Sequence, residues 1–336
     1  MTLLVESQRF AGSTDRTNLL RAFLNRHPIE MFGGVIADCR RAEESYLGDA
    51  EDRARARALM ELVQSEHFDF EELIERLYDL SPEVGPEARR RQTSHLRTAE
   101  ARAEIWLEAL GRDTAGLGPR LDLGCGSGGF LVASARREPE LIHVGIDPAL
   151  RWLTVAAGRL KAAGLDGGRV CLVAAHAEEL PFDAETFGSV AAGDVIEHVN
   201  DQARTLAEVW RVLKPGGRLF LASPNRLSLT PEPHVLVWGV GWLPETWRAA
   251  YVRCVNGAEY RQIRNLSWNE WQRLLNHSPF GGGRVEAPRL ATAELREFGG
   301  LKRGLGTLYN LLVTHGFGQF LARRVGPCFH VVCQKR

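Results

Sequence analysis

From residue 120 the apolar positions fall into short runs of strand length, separated by segments whose apolar residues recur at helical spacing. Runs at 120–124, 141–147, 169–174, 188–194 and 218–223 read as strands, and the stretches at about 128–137, 149–163 and 201–213 as helices. Such alternation predicts an α/β fold, a parallel sheet with helices on both faces. Lys214-Pro-Gly-Gly217 reads as a turn ahead of the fifth strand. Beyond it lie an irregular stretch at 225–256, a helix at 266–275, a strand at 283–290, a glycine-interrupted helical stretch at 293–325 and a closing strand at 328–333. Residues 1–90 read as all-helical. Segments at 51–65 and 70–80 carry apolar residues at helical spacing, with Asp69 as a cap for the second and Ser81-Pro82 as its stop. The expected division is a helical region over 1–90 and an α/β domain over 91–336.

One turn carries the first chemical signal. Arg120-Leu-Asp-Leu-Gly-Cys-Gly-Ser-Gly-Gly-Phe130 runs from a strand through four glycines into a helix, so a ligand could approach backbone N–H groups at a helix start. Gly124-x-Gly126-x-x-Gly129 also satisfies the dinucleotide fingerprint, which is weak by itself. Asp147 ends the next apolar run, where an acid would accept hydrogen bonds from ribose hydroxyls, and Pro148 follows it. Asp122, two residues before the first glycine, would repel a pyrophosphate but suits a ligand with an amino group and a sulfonium.

Composition narrows the classes. Lysine plus arginine, 42, balances aspartate plus glutamate, 42, which argues against a general nucleic-acid binder. The six cysteines show no Cys-x-x-Cys pair and no zinc spacing. The first residues lack the layout of a signal peptide and no apolar run reaches ~18 residues, so a cytoplasmic protein is expected.

Four signals in order resemble class I S-adenosylmethionine-dependent methyltransferases: Leu121-Asp-Leu-Gly-Cys-Gly-Ser-Gly128, the acid Asp147, Ala177-Glu-Glu-Leu-Pro-Phe182, and Val209-Trp-Arg-Val-Leu-Lys-Pro-Gly-Gly217. The resemblance runs from about 118 to 223 and implies a Rossmann-like seven-stranded sheet whose last strand, Phe329 to Val332, is antiparallel beside the fifth. It implies S-adenosylmethionine as cofactor, with the backbone of Gly124, Cys125 and Gly126 facing the methionine part beside Asp122, Asp147 on the ribose and Ala177 beside the adenine. Where the family often has an aspartate before that alanine, this chain has His176, whose neutral ring nitrogen could accept the same bond.

Asp194-Val-Ile-Glu-His-Val199 resembles the branch that includes ubiquinone-biosynthesis O-methyltransferases and small-RNA 2′-O-methyltransferases. In a helical turn Asp194, Glu197 and His198 would share one face. That suits His198 as general base with Glu197 orienting it, or a divalent metal on the three residues. The ubiquinone and RNA enzymes bind Mg²⁺ there, but Mg²⁺ prefers oxygen ligands and is not favoured here.

The resemblance implies methyl transfer to a small molecule. O-methylation of a partly apolar acceptor leads; C- or N-methylation and a small-RNA substrate are the alternatives. A dehydrogenase or a regulatory cofactor binder is the rival class. Residues 225–256 follow the fifth strand and are expected to form a lid, with Trp238 and Trp242 lining an apolar acceptor site and His234 as a polar contact. Peripheral membrane contact is implied for the ubiquinone enzymes near this point, and the apolar stretch from Leu301 to Leu312 is flanked by arginines.

Overall fold

The computed structural model describes residues 29–32, 35–38, 50–82, 84–166, 169–290, 295 and 299–336. The five expected parallel strands are present: β3 (Arg120–Leu123), β4 (His143–Asp147), β5 (Val170–Ala174), β6 (Phe187–Gly193) and β7 (Leu213–Pro224). Two more, β8 (Arg284–Glu286) and β9 (Cys328–Gln334), complete a sheet in the order β5-β4-β3-β6-β7-β9-β8. β9 runs antiparallel to β7, with Phe220 opposite Val332, and to β8. This is the seven-stranded arrangement expected, with its last strand reversed.

The N-terminal region is not all-helical. Strands β1 (Ile29–Phe32) and β2 (Val35–Asp38) pair antiparallel, and β2 joins the free edge of β5 in parallel, extending the sheet to nine strands. Four-residue strands at a sheet edge are too short to show a periodicity of their own, since pairing rather than pattern holds them. The helices α1 (Ala50–Gln64) and α2 (Phe70–Asp79) form as expected, and Asp69 caps α2 by accepting from the Glu71 N–H at 3.1 Å. Two further helices, α3 (Pro86–Arg97) and α4 (Ala99–Leu110), lead to the sheet.

Helices α5 (Gly129–Arg137), α6 (Leu150–Ala162) and α7 (Gln202–Val212) follow β3, β4 and β6. Lys214 to Gly217 are not a separate turn ahead of a strand but a bulge inside β7: Phe187 pairs with Leu213 and Ser189 with Arg218, so four residues loop out opposite Gly188. The stretch expected to be irregular contains helix α8 (Glu245–Asn256); α9 (Trp268–His277) follows, closed at its start by a Ser267–Glu270 capping box. The C-terminal helical stretch is two helices, α10 (Gly300–Leu312) and α11 (Gly316–Val325).

Alternation along the strands divides the core. Leu121, Leu123, Val190, Ala192, Leu219 and Leu221 face α7 and α9, where Leu206, Val209, Trp271 and Leu275 meet them. On the other face Ala191, Phe220 and Ala222 pack under α4 and α5, while Leu172 and Ala174 pack under α5 and α6. α1 and α2 lie outside α6, with Leu59, Leu73, Ile74 and Leu77 around Val155.

Candidate active site

The glycine turn follows the carboxyl end of β3, and its geometry is set from three directions. Gly124, Gly126 and Gly128 have φ of +68°, +48° and +76°. At Gly124 a Cβ would lie 2.3 Å from Cγ2 of Val195, so glycine is needed both for the backbone conformation and for the approach of the next loop. Asp147, at the end of β4, accepts from the Gly126 N–H at 3.1 Å and from the Ala149 N–H at 2.9 Å. Buried Arg159 on α6 donates to the Ser127 carbonyl (2.9 Å) and to the Leu96 carbonyl (2.7 Å), tying the end of α3 to the turn.

Burial raises the Asp147 carboxyl to about 6, against the pull of those two N–H donors. Asp122 is buried beside it; burial, then the Asp147 charge, pushes its carboxyl well up, and its Oδ2 has no hydrogen-bond partner. A bound cation with N–H donors would satisfy that atom, so the residues present fit a ligand carrying an ammonium and a ribose. Cys125 is buried, with its N–H on the Ile146 carbonyl. Ala177 is buried and His176 half-buried in the turn after β5, where Glu178 accepts from the Asn200 N–H at 2.7 Å and so joins this turn to the one after β6. Pro148 is half-buried.

The turn after β6 is not helical, because Asp194 takes a left-handed φ of +55° as the strand ends. Its three polar residues therefore diverge instead of sharing a face. Glu197 is wholly buried: its Oε2 accepts from the Ser223 hydroxyl at 3.2 Å, its Oε1 has no hydrogen-bond partner, and burial, with Asp194 beside it, holds the carboxyl well above its usual range. Asp194 has solvent on one side and protein on the others; the protein raises its carboxyl, opposed by the charges of Arg102 and His234.

His198 opens to the cleft and meets a residue 36 positions away. Its Nε2 lies 3.1 Å from Nε2 of His234, with the rings edge to face. His234 Nδ1 lies 2.6 Å from Oε1 of Glu232, a buried carboxylate that also accepts from the Asn265 amide (3.1 Å) and from the N–H groups of His234 (2.8 Å) and Val235 (3.1 Å). Burial pushes Glu232 up, but these donors more than offset it, and the carboxyl sits below its ordinary value. Where His234 is neutral and gives Nδ1–H to Glu232, its Nε2 accepts, His198 Nε2–H donates and His198 Nδ1 keeps a lone pair. The surrounding protein, and then the His234 charge, push His198 down to about 4. Thus the carboxylate that meets the histidine pair is Glu232, through His234, while Glu197 bonds Ser223 on β7.

Glu197, His198 and His234 each offer one ligand atom within 4.8 Å of the others, and among the described residues this is the set that could hold a metal ion. Asp194 is not part of it. Two imidazole nitrogens bound to one ion at ~2.1 Å with an angle near 95–100° would lie roughly 3 Å apart, as they do here. Two imidazoles and one carboxylate suit zinc, manganese or iron better than Mg²⁺.

The helices before the sheet close the cleft from above. Arg91 donates to the Pro233 carbonyl, Arg102 to the His95 carbonyl (3.1 Å), and the Trp106 ring lies over Gly193. Arg97, at the end of α3, pairs with Glu71 at 2.6 Å on the surface. Trp238 and Trp242 are 59% and 50% exposed, and their indole N–H groups donate to the Leu229 and Ser228 carbonyls. A cavity lined by Val199, Asn200, Arg248, Tyr260 and Arg264 lies beside the turn; none of its lining comes from the glycine turn, so it is separate from the cofactor crevice.

Residues 121–221 match the family described as "Methyltransferase domain". A demethylmenaquinone methyltransferase from Roseiflexus castenholzii is 40% identical over 100 residues, covering 30% of this chain and 40% of that protein. A ubiquinone biosynthesis O-methyltransferase from Rhizobium etli is 33% identical over 142 residues, covering 39% and 55%. The chain thus spans about half the length, or less, of these curated relatives. Among solved structures, a geranyl diphosphate methyltransferase in complex with S-adenosylmethionine aligns at 20% identity over 70% of this chain and 85% of its own, with a TM-score of 0.43. With the glycine turn, the acid after β4 and the reversed last strand in place, residues 121–221 are the core of a class I methyltransferase domain.

Proposed function

We propose that the protein methylates a hydroxyl on a partly apolar small molecule, using S-adenosylmethionine. The observation that carries this reading is the chain Glu232–His234–His198, which ends in a free imidazole nitrogen on a turn that touches the glycine loop through Val195. The cofactor supplies an activated methyl group, taken by in-line displacement from a sulfonium. When it is bound, the glycine loop and Asp122 would hold its methionine part, Asp122 meeting the ammonium, and Asp147 would hold its ribose. His198 Nδ1 takes the hydroxyl proton as the new C–O bond forms. The resulting imidazolium shares its Nε2–H with His234, and the Glu232 carboxylate stabilises the charge. Trp238 and Trp242 would contact the apolar part of the acceptor, on an insertion that closes as a lid.

A second reading has Glu197, His198 and His234 hold a divalent ion that binds the acceptor oxygen; the 3.1 Å separation of the two nitrogens favours it. It excludes the relay, because both use the same nitrogens. Relatives named as C-methyltransferases keep ring-carbon methylation in view, while the balanced charge weighs against RNA.

The test is a panel of phenols and quinols with radiolabelled cofactor, with and without EDTA, and NMR of the product. Methyl on oxygen and indifference to EDTA are expected. Methyl on carbon would replace O-methylation, and loss of activity restored by one divalent ion would replace the relay with the metal.

A further inference from the structure

Among the described residues, every strongly exposed large hydrophobic side chain lies between Leu229 and Leu321. The densest group is on α10 and α11. On α10, Leu305, Leu308 and Leu312 recur at i, i+3 and i+7 on the outer face, with Leu311 beside them; on α11, Phe317, Phe320 and Leu321 recur at i, i+3 and i+4. The inner faces carry the small residues: Gly318 and Ala322 are buried, and a Cβ at Gly318 would lie 1.8 Å from the Leu312 carbonyl oxygen. Most of the hairpin's large apolar side chains thus lie outside, while Val313 and half-buried Tyr309 pack inward beside the small residues.

The charge of the face has one sign. From Gly299 to Arg336 the chain has no aspartate or glutamate, and α10 and α11 carry Lys302, Arg303, Arg323 and Arg324. Arg303 and Arg324 are exposed, and the Arg324 guanidinium lies 5.3 Å from the Phe320 ring centroid, at the edge of the apolar face. The tryptophans adjoin it: Trp238 is bonded to the Leu229 carbonyl, the Leu229 N–H donates to the Val325 carbonyl at the end of α11 (3.0 Å), and Leu229 is itself exposed. No helix among the described residues is long and apolar enough to cross a membrane.

We propose that α10 and α11 form a docking face for an anionic lipid surface, with the leucines and phenylalanines entering the acyl boundary and the arginines meeting lipid phosphates. A second copy of the chain is the weaker occupant, because a two-fold contact would set arginines against arginines. Indole rings beside such a face suit the headgroup level. The inference stands independently of which acceptor is methylated.

The test is co-sedimentation of the full chain with vesicles of equimolar phosphatidylglycerol and phosphatidylcholine, and with phosphatidylcholine alone, at low and high salt. Binding to the anionic vesicles, weakened by salt, is expected. Leu308→Asp/Phe317→Asp/Phe320→Asp should lower the partition coefficient about tenfold or more with an unchanged melting temperature, since these side chains already face water. Arg303→Glu/Arg324→Glu should remove the preference for anionic vesicles. The proposal falls if the wild type stays in the supernatant, if the triple variant pellets as well as the wild type does, or if ultracentrifugation finds a dimer that the triple variant abolishes while vesicles bind neither.

Discussion

The two walls of the cleft are held by different means. On the cofactor side, every residue of β3, β4 and β5 is buried, and the glycine turn is fixed by Asp147 and Arg159, which are themselves anchored in the sheet and α6. On the other side, residues 225–263 are an insertion with a small core of their own, Val237, Val240, Val252 and Tyr260. It is tied to α9, α11 and the segments beside them: Asn225 bonds the Arg324 and Gly326 carbonyls, Arg226 bonds Glu270, Asn265 bonds Glu232, and the Arg226 and Leu229 N–H groups bond the Leu266 and Val325 carbonyls. A rigid wall suits an invariant ligand, and a wall with its own small core, tied on by isolated bonds, can change its contacts without disturbing the other.

The largest expected effect breaks the acceptor wall alone. His198→Ala should lower turnover about 10²–10⁴-fold while calorimetric affinity for S-adenosylmethionine stays within a factor of two or so, because the base acts on the acceptor. A matching loss of cofactor affinity would show that the walls are coupled. Glu232→Gln should reproduce part of the loss, since the amide cannot balance the imidazolium charge.

The cofactor wall has its own weak point, in acid. His143, at the start of β4, is buried in a chain in which Arg120 donates to Ser134 (2.9 Å), Ser134 lies 3.1 Å from His143 Nδ1, and His143 Nε2 faces the Glu138 carbonyl (3.1 Å). Burial lowers His143 to about 4, and the Arg120 charge adds to that. The unfolded chain takes up a proton near ~6.5 and the folded one near 4, so stability present above ~6.5 is lost as pH falls towards 4, by on the order of 3 kcal/mol. Urea midpoints at pH 7 and 4.5 should show this slope in the wild type and a shallower one in His143→Gln, which cannot titrate; equal slopes would take His143 out of the account.

Asp147→Ala should weaken cofactor binding by about 1.5–3 kcal/mol, the scale of charge-assisted hydrogen bonds to ribose. The structure adds a cost, because Asp147 also holds the Gly126 and Ala149 N–H groups. In the wild type, affinity should decline as pH drops through about 6, when the carboxyl takes up a proton and loses acceptor capacity. Calorimetry from pH 8 to 5 measures both; a flat profile would mean that Asp147 does not meet the ribose.

The cofactor wall was the more legible in the sequence because its signals are local. Leu121 and Leu123 alternate on one strand, glycines crowd the next turn, and Asp147 closes the following strand, all within 27 positions of one another. The acceptor wall depends on contacts that periodicity does not encode. His234 reaches His198 across 36 positions, and its partner Glu232 looked like one of many acids. Spacing alone put Asp194, Glu197 and His198 on one helical face, but a left-handed residue at the strand end turned Glu197 inward and His198 outward. Glu232-Pro-His234, an acid two residues before a histidine, was the available signal, and it had no strand or helix to fix its direction.

The smallest effect concerns the tryptophans. Trp238 and Trp242 are more exposed than core residues, and each gives one indole N–H to a backbone carbonyl, a bond worth about 0.5–1.5 kcal/mol net and less where water competes. The Trp238→Ala/Trp242→Ala variant should therefore melt within a few degrees of the wild type. If these rings line the acceptor site, its KM for a water-soluble acceptor, measured without lipid, should rise several-fold with turnover and cofactor affinity nearly unchanged. An unaltered KM in that assay, together with weaker vesicle binding, would assign both rings to the lipid face and leave the acceptor wall to His198, His234 and Glu232. A large drop in melting temperature with an unaltered KM would make them structural supports of the insertion. The assay thus decides whether the insertion's exposed surface serves the acceptor site, or only the face beside it.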